Sequence, residues 1–188
     1  MRRKALARVL IVGNVGAGKS WLARRLSERL GVPRTPMDRF NWEPGGHYVQ
    51  RPRVAVLADI EAVAGQDRWI LEGVYGWIAA ALASRASCLL WLDLPLEICR
   101  QGVLERGPEN VEHIGQSAAE AQLAELLAWA AGYPERDDET SRRGHRGIFN
   151  GFAGEKRRFT TRAEVAAWLG DIDAGAMAER PGQARQTC

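Results

Sequence analysis

Eight consecutive residues near the start of the chain have the types and spacing of a phosphate-binding loop. They satisfy the pattern G-x-x-x-x-G-K-[ST] and are Gly13, Asn14, Val15, Gly16, Ala17, Gly18, Lys19 and Ser20. The glycines allow successive backbone N–H groups to turn inward around a phosphate, and a helix that starts there adds partial positive charge. Lys19 would bridge the β- and γ-phosphates of ATP, and the Ser20 hydroxyl would ligate Mg²⁺.

The elements on either side of this motif have the order that its chemistry needs. Residues 8–13 form a short run rich in β-branched side chains, which predicts a strand. Leu22, Leu26 and Leu30 recur every four residues and predict an amphipathic helix over about 18–30. A strand before the motif and a helix after it distinguish a phosphate-binding loop from an ordinary glycine-rich turn.

Composition indicates one folded domain and excludes several other classes. The chain has 188 residues, of which 46% are hydrophobic and 26% charged, and this profile excludes wholesale disorder, collagen-like repeats and coiled coils. Its net charge is only +3, without a run of five like charges, so charge does not indicate nucleic-acid binding. The first apolar run, residues 9–12, is too short for a membrane span. Three cysteines without metal or disulfide spacing predict a cytoplasmic protein.

Strand-like and helix-like segments alternate along the rest of the chain. This alternation predicts an α/β fold with a five-stranded parallel sheet covered by helices on both faces. The further strands are expected at about 34–37, 69–72, 88–93 and 157–160, and the further helices at about 53–64, 77–83, 96–106, 118–131 and 163–169. The turn formers and mixed charges of 133–154 predict a mobile loop, and residues 171–188 predict a flexible tail.

Four segments together resemble one family of P-loop proteins. They are IVGNVGAGKSWLARRLSERLGVP with MDRFNW, WILEGVYGWI, LLWLDLPLEIC and RAEVAAWL, and the pair Trp129 and Tyr133 also matches. This pattern, over residues 8–170, resembles the adenylate-kinase-like DNA topology modulation proteins, which are related to nucleoside monophosphate and shikimate kinases. The resemblance implies a kinase-like domain over 1–170, a lid at about 106–116, and a sheet in which the third strand lies beside the first.

The resemblance also bears on which carboxylates do chemistry. Asp38 follows the second strand, where similar kinases hold the acceptor, and either orients an acceptor hydroxyl or ligates Mg²⁺ through water; otherwise it is a turn residue paired with Arg39. Phe40, Trp42 and Tyr48 in the following loop either stack on an acceptor base or pack the loop.

Two strand ends compete for the metal-binding carboxylate. Asp93 ends the apolar strand CLLWLD and is favoured by the pattern alone. Glu72 ends WILE, and the topology implied by the resemblance favours it because that strand lies next to the phosphate-binding loop. We therefore expect Ser20 and Glu72 to hold the metal and Asp93 to be a solvated or capping residue before Pro95.

Phosphoryl transfer needs cations on the transferring group, and the arginines supply candidates. Arg106 is the first, because it matches a lid arginine of the family. The sequence departs from the family at Gly102, where similar proteins commonly have an arginine, and Arg100 is a possible replacement. A second departure is Trp21, which follows Ser20 and would either crowd the nucleotide or pack the first helix. Residues Arg142, Arg143 and Arg146 either add charge or belong to a solvated loop.

These observations predict an ATP-binding phosphotransferase that transfers the γ-phosphate to a small molecule. Lys19, Asp38 and Arg106 are the expected catalytic residues, and the resemblance favours a nucleoside monophosphate as acceptor. A small hydroxyl compound is the other candidate acceptor, because a phosphate acceptor is already ionised and needs no base at Asp38. The alternatives are a nucleotide-binding regulator that contacts DNA and a plain ATPase with water as acceptor.

Overall fold

The computed structural model describes residues 6–43, 49–109 and 111–178. Within these ranges, five parallel strands form one sheet: β1 (Arg8–Gly13), β2 (Arg34–Pro36), β3 (Trp69–Gly73), β4 (Cys88–Leu92) and β5 (Glu155–Phe159). Their order across the sheet is β2-β3-β1-β4-β5. The predicted five-stranded parallel sheet is confirmed, and the third strand lies beside the first, as the resemblance implies.

Helices connect the strands and flank the sheet. In the described part of the chain they are α1 (Lys19–Leu30), α2 (Asp38–Asn41), α3 (Arg53–Ala64), α4 (Gly76–Leu82), α5 (Leu96–Arg106), α6 (Val111–Ile114), α7 (Gln116–Ala131), α8 (Arg142–Gly151) and α9 (Arg162–Ala178). None of them has the length and apolar character that crossing a bilayer requires.

The central strand β1 is buried on both faces because helices cover both sides of the sheet. Val9 and Ile11 pack into one apolar cluster with residues of α1 and α9, whereas Leu10 and Val12 pack into a second cluster with residues of α3 and α4. Side chains along a strand alternate between faces, so a continuous apolar run in β1 supplies both cores.

The prediction of a loop over 133–154 is wrong, because this segment contains α8. Ser141 caps the helix, its Oγ accepting a hydrogen bond from Gly144 N at 3.1 Å. Lys156 donates to three carbonyls at the end of the helix, those of Phe149, Asn150 and Phe152. Three glycines in ten residues give α8 a low intrinsic helix propensity, and these tertiary contacts override it.

The prediction of a flexible tail over 171–188 is wrong for its first part. The last helix α9 continues to Ala178 because Ile172, one turn after Trp168, is also buried in the core. Residues 179–188 lie outside the described residues, as do residues 44–48 with Tyr48. The segment 106–116 contains the end of α5 and the short α6, and its action as a lid stays a prediction.

Asp93 is not the solvated or capping residue that we expected. Its side chain is buried, and its carboxylate accepts hydrogen bonds from Arg142 Nε at 2.8 Å and Arg158 Nε at 2.9 Å. The two guanidinium groups come from α8 and from β5, which pairs with β4. Asp93 therefore joins three elements, and Arg142 serves this ion pair instead of belonging to a solvated loop.

A buried hydrogen-bonded chain ties α8 to the middle of the molecule. Trp91 Nε1 donates to the Tyr133 hydroxyl at 3.2 Å, and that hydroxyl lies 2.8 Å from His145 Nδ1. His145 Nε2 lies 2.9 Å from the carbonyl oxygen of Val74, which can only accept. Because burial holds the pKa of His145 well below neutral pH, the imidazole is neutral, with its proton on Nε2, and Tyr133 donates to Nδ1. Burial lowers the pKa of His145 to about 4.

Acid should destabilise the fold through His145. The pKa of this histidine is lower in the folded state than its ordinary value of 6.5, so the unfolded chain binds the extra proton first. This contribution to the free energy of unfolding, roughly 3 kcal/mol for a shift of this size, is present above pH 6.5 and is lost as the pH falls towards 4. Urea denaturation of the wild type between pH 7 and pH 4.5 measures the loss.

The variant His145→Gln is the matched control for this prediction. Its amide can donate to Val74 and accept from Tyr133, but it does not titrate. We expect its stability to fall less steeply with acid than that of the wild type. Parallel curves for the two proteins would contradict the assignment.

Candidate active site

The phosphate-binding loop connects β1 to α1 at the carboxyl edge of the sheet, where α/β proteins bind ligands. Gly16 and Gly18 have φ angles of 74° and 89°, which favour glycine. Asn14 is buried and fixes the loop from behind: its Nδ2 donates to the carbonyl of Ala130 at 3.0 Å, and its Oδ1 accepts from Val15 N at 2.9 Å. The loop is therefore anchored to the last turn of α7.

Lys19 lies inside the loop, and only 7% of it is exposed. Its Nζ donates to the carbonyl of Asn14 at 2.8 Å. Burial lowers the pKa of Lys19, and the negative charges of Glu72 and Asp38 oppose that shift. The ammonium and the two carboxylates therefore face one space, although they come from three separate segments of the chain.

The backbone of helix α5 packs closely against the backbone of the loop. A Cβ atom on Gly102 would lie 2.3 Å from the carbonyl oxygen of Gly16, and a Cβ on Gly16 would lie 2.0 Å from the carbonyl oxygen of Cys99. Neither position can take a side chain without moving the loop. This close approach thus requires glycine at position 102, where similar proteins commonly have an arginine. The sequence alone could not explain that difference.

Glu72 and Asp38 lie at the ends of adjacent strands. Glu72 is buried at the end of β3, where it pairs in register with Ile11 of β1 and Pro36 of β2. Asp38 begins α2, two residues after β2 ends. The sheet order therefore places Glu72 beside the phosphate-binding loop, whereas Asp93 is occupied by two arginines on the other side of β1.

Tyr75 holds the Asp38 carboxylate in place. Its hydroxyl donates to Asp38 Oδ1 at 2.7 Å and accepts a hydrogen bond from Trp42 Nε1 at 2.8 Å. Burial and the nearby charge of Asp38 raise the pKa of Tyr75, so the phenol stays a donor at neutral pH. Trp42 thus supports Asp38 through Tyr75, and Phe40 is buried in the core. The sequence pointed to Asp38 but did not reveal Tyr75 as its partner.

These groups line one cleft of about 1530 Å³. Ser20 and Trp21 lie at its wall, and both are exposed. The indole of Trp21 therefore does not pack the buried face of α1; the guanidinium of Arg25 lies over its ring at 5.8 Å. The wall near Asp38 carries Arg34 and Arg53, which the sequence analysis did not single out.

The predicted lid cations have different positions. Arg106 lines the same cleft as Lys19, whose pKa is lowered mainly by burial and also by the charge of Arg106. Its Nε lies 3.1 Å from a carboxylate oxygen of Glu109. Arg100 forms an exposed pair with Glu97 and is not among the residues that line the cleft. Arg162, at the start of α9, does line it.

The donor set at the loop fits Mg²⁺. Within the described ranges, no three His, Cys, Asp or Glu side chains cluster closely enough to bind a metal by themselves. A phosphate-bound Mg²⁺ does not need such a cluster, because it takes one or two protein oxygens and keeps phosphate and water ligands. The exposed hydroxyl of Ser20 and the carboxylates that face Lys19 supply oxygens of that kind.

The arrangement of the sheet and the loop is that of the P-loop kinase fold, and solved structures share it. The chain is similar to a shikimate kinase from Acinetobacter baumannii in complex with shikimate, with a TM-score of 0.53 and 17% identity over 96% of this chain and 100% of that one. It is also similar to a shikimate kinase from Bacteroides thetaiotaomicron, with a TM-score of 0.50 and 12% identity over 91% and 98% of the two chains.

A gluconokinase from Sinorhizobium meliloti aligns with a TM-score of 0.46 and 14% identity, over 93% of this chain and 98% of that one. No family model matches the sequence. No curated protein matches it either. The comparisons thus establish the fold, and the resemblance to DNA topology modulation proteins stays a prediction.

Gly102→Ala should disturb the phosphate-binding loop. The new Cβ would lie 2.3 Å from the Gly16 carbonyl oxygen, so α5 or the loop must shift. We expect a loss of about 1–3 kcal/mol in the free energy of unfolding, as for other overpacked sites, measured by urea denaturation.

Gly147→Ala is the matched control, because a Cβ at Gly147 in α8 meets open space. Removing a helical glycine there should leave stability unchanged or raise it by roughly 0.5–1 kcal/mol. Equal stability of the two variants would contradict the close packing of α5 on the loop.

Proposed function

We propose that the chain is an ATP-dependent kinase that phosphorylates a small molecule. The observation that carries the proposal is the convergence of Lys19 and Asp38 on one cleft, with the phosphate-binding loop on one side and the Asp38–Tyr75 pair on the other. The similar structures that we compared are kinases by name, which supports the same activity.

The residues have distinct roles in this proposal. The loop amides and Lys19 hold the β- and γ-phosphates of ATP, and Arg106 neutralises charge on the transferring group. Ser20 and Glu72 would hold Mg²⁺, which offsets the charge of the phosphates when it is bound. Asp38 orients the acceptor hydroxyl and takes its proton as the oxygen bonds to the γ-phosphorus and the bond to ADP breaks.

A hydroxyl acceptor suits the geometry better than a phosphate acceptor. Asp38 is a carboxylate fixed by Tyr75, and it would repel an ionised phosphate oxygen while accepting a hydrogen bond from a hydroxyl. Arg34 in the same cleft would bind an anionic group elsewhere on the substrate, whereas Arg53 is already paired with Glu139, its Nη1 lying 3.2 Å from a carboxylate oxygen. A small hydroxy acid combines the two features.

A nucleoside monophosphate is the second candidate acceptor. The family resemblance of the sequence favours it, and Arg34 could bind its phosphate. Its aromatic base could contact Trp77, which lines the same part of the cleft beneath Arg53 at 4.8 Å.

We propose a cytoplasmic location for the protein, supported by the buried free thiols of Cys88 and Cys99.

The first experiment measures ADP formation from Mg·ATP with a panel of acceptors: hydroxy acids including shikimate and gluconate, nucleosides and nucleoside monophosphates. We expect one acceptor class to stimulate turnover, and Lys19→Ala to lower it by at least a hundredfold, because the phosphates lose their main cation. Arg24→Ala, which removes an exposed charge from α1 outside the cleft, should leave turnover unchanged.

Other outcomes would select the alternatives. ADP formation that ignores every acceptor indicates an ATPase. ATP binding without turnover, together with salt-dependent DNA binding, indicates a regulator. If Lys19→Ala bound Mg·ATP as tightly as the wild type, the nucleotide site itself would be misassigned.

Tyr75→Phe should lower turnover by roughly ten- to a hundredfold, because a hydrogen bond to a charged group contributes about 1.5–3 kcal/mol and Asp38 loses its fixed position. Steady-state kinetics with the identified acceptor measure the change in kcat and KM.

Tyr133→Phe removes a second phenol that is buried among the described residues; it bonds to Trp91 and His145 and does not line the cleft. It should lower stability and change the kinetic constants less than Tyr75→Phe does, because Tyr133 reaches Asp38 only through His145, Val74 and Tyr75. If the two variants lost activity equally, Tyr75 would have no specific role in positioning Asp38.

A further inference from the structure

A second cavity lies at the edge of the sheet, and none of the described residues that line it also lines the cleft of the candidate active site. It measures about 540 Å³ and is formed by residues of β2, α2 and α3 and the start of β3. Thr35 of the edge strand β2 lines it, whereas Arg34 and Pro36 line the cleft. Successive side chains of a strand point to opposite faces, so β2 separates the two cavities.

The short helix α2 separates the same two cavities. Asp38 and Asn41 line the cleft, whereas Arg39 and Phe40 line the second cavity. The second cavity therefore lies behind the helix that carries Asp38. Its volume is within the range of pockets that bind small molecules.

The polar groups of the second cavity leave one positive charge uncompensated. Arg51 is held in place, since its Nη1 donates to the carbonyl of Phe40 at 3.1 Å and its Nη2 lies 2.7 Å from a carboxylate oxygen of Asp59. Arg39 also lines the cavity, is exposed, and has no ion-pair partner among the described residues. An anionic group in the cavity would therefore meet the guanidinium of Arg39, which forms charge-assisted hydrogen bonds with carboxylates.

Trp69 supplies a second, independent observation that points to a ligand. Only 1% of this residue is exposed, and its Nε1 has no hydrogen-bond partner in the part of the chain that the structure describes. A buried N–H without a partner is costly, and a buried tryptophan usually finds one. Because Trp69 lines the cavity, an oxygen of a bound ligand is a group that can satisfy this donor.

The remaining wall is largely apolar and suits a flat ring. Ala58 and Ala62 lie one helical turn apart on α3 and leave room because their side chains are small, while Phe40 and Trp69 supply aromatic surface. An apolar lining with a few placed polar groups is typical of small-molecule sites. We propose that this cavity is a second ligand site, which binds a small aromatic carboxylate.

The test follows the indole N–H signals of the nitrogen-15-labelled full-length chain by NMR while benzoate is added. The variant Trp69→Phe identifies the Trp69 signal. We expect that signal to shift to saturation with a Kd of about a millimolar, as for other ligands of this size. Benzamide keeps the ring without the charge, and acetate keeps the charge without the ring, so each should bind about tenfold more weakly.

Two variants test the contacts of the cavity directly. Arg39→Gln removes the unpaired charge and should raise the Kd for benzoate about tenfold. Ala62→Phe keeps every charge, fills the cavity from an exposed position of α3, and should abolish the benzoate-induced shift of the Trp69 signal. Arg24→Gln is the matched control, because it removes an exposed arginine of α1 that lines neither cavity, and its Kd should equal that of the wild type.

Equal affinity for benzoate and benzamide, or wild-type affinity in Arg39→Gln, would overturn the inference. A shift that does not saturate would overturn it as well, since that result indicates binding at high concentration only. Benzoate bound in the cleft would keep its affinity in Ala62→Phe, and that outcome would refute the second site while leaving the proposed kinase activity untouched.

Discussion

The close backbone contact between the phosphate-binding loop and α5 is the constraint on which the rest of the site depends. Gly16 and Gly102 meet where neither tolerates a Cβ, and Asn14 ties the same loop to the carbonyl of Ala130 in α7. Because interiors are packed to solid-like density, such a contact fixes the loop against two helices at once. The loop amides are thereby oriented before any phosphate arrives, which lowers the cost of ordering them on binding.

The acceptor half of the cleft is positioned by a different buried network. His145 donates to the carbonyl of Val74, the residue next to Tyr75, whose hydroxyl then orients Asp38. The helix α8, whose sequence predicts a loop, therefore supports the carboxylate of Asp38, more than a hundred positions earlier in the chain. The two networks meet at the carbonyl of Ala130, which accepts hydrogen bonds from Asn14 Nδ2 and from the backbone N–H of Tyr133.

The parts of the fold and of the site that depend on local sequence patterns could be predicted from the sequence. The glycines and lysine of residues 13–20 specify a loop whose chemistry is local, and the apolar runs of the strands specify a buried parallel sheet. The helix α8 could not be predicted that way, because its glycines disfavour a helix and its stability comes from Lys156, Ser141 and the burial of His145. The role of Asp93 was also hidden, since its partners Arg142 and Arg158 are 49 and 65 residues away.

The sequence by itself determined the class of the fold and the phosphate-binding loop, whereas the family resemblance pointed to Asp38 and Glu72 as carboxylates of interest. Only the tertiary structure decided what holds them and which cations accompany them. Tyr75 reaches Asp38, and Arg162 reaches the backbone of Gly102, because the strand order and the packing of α9 bring distant segments together. Spacing along a chain reports on neighbours within one element, whereas contacts between elements depend on how the whole sheet is assembled.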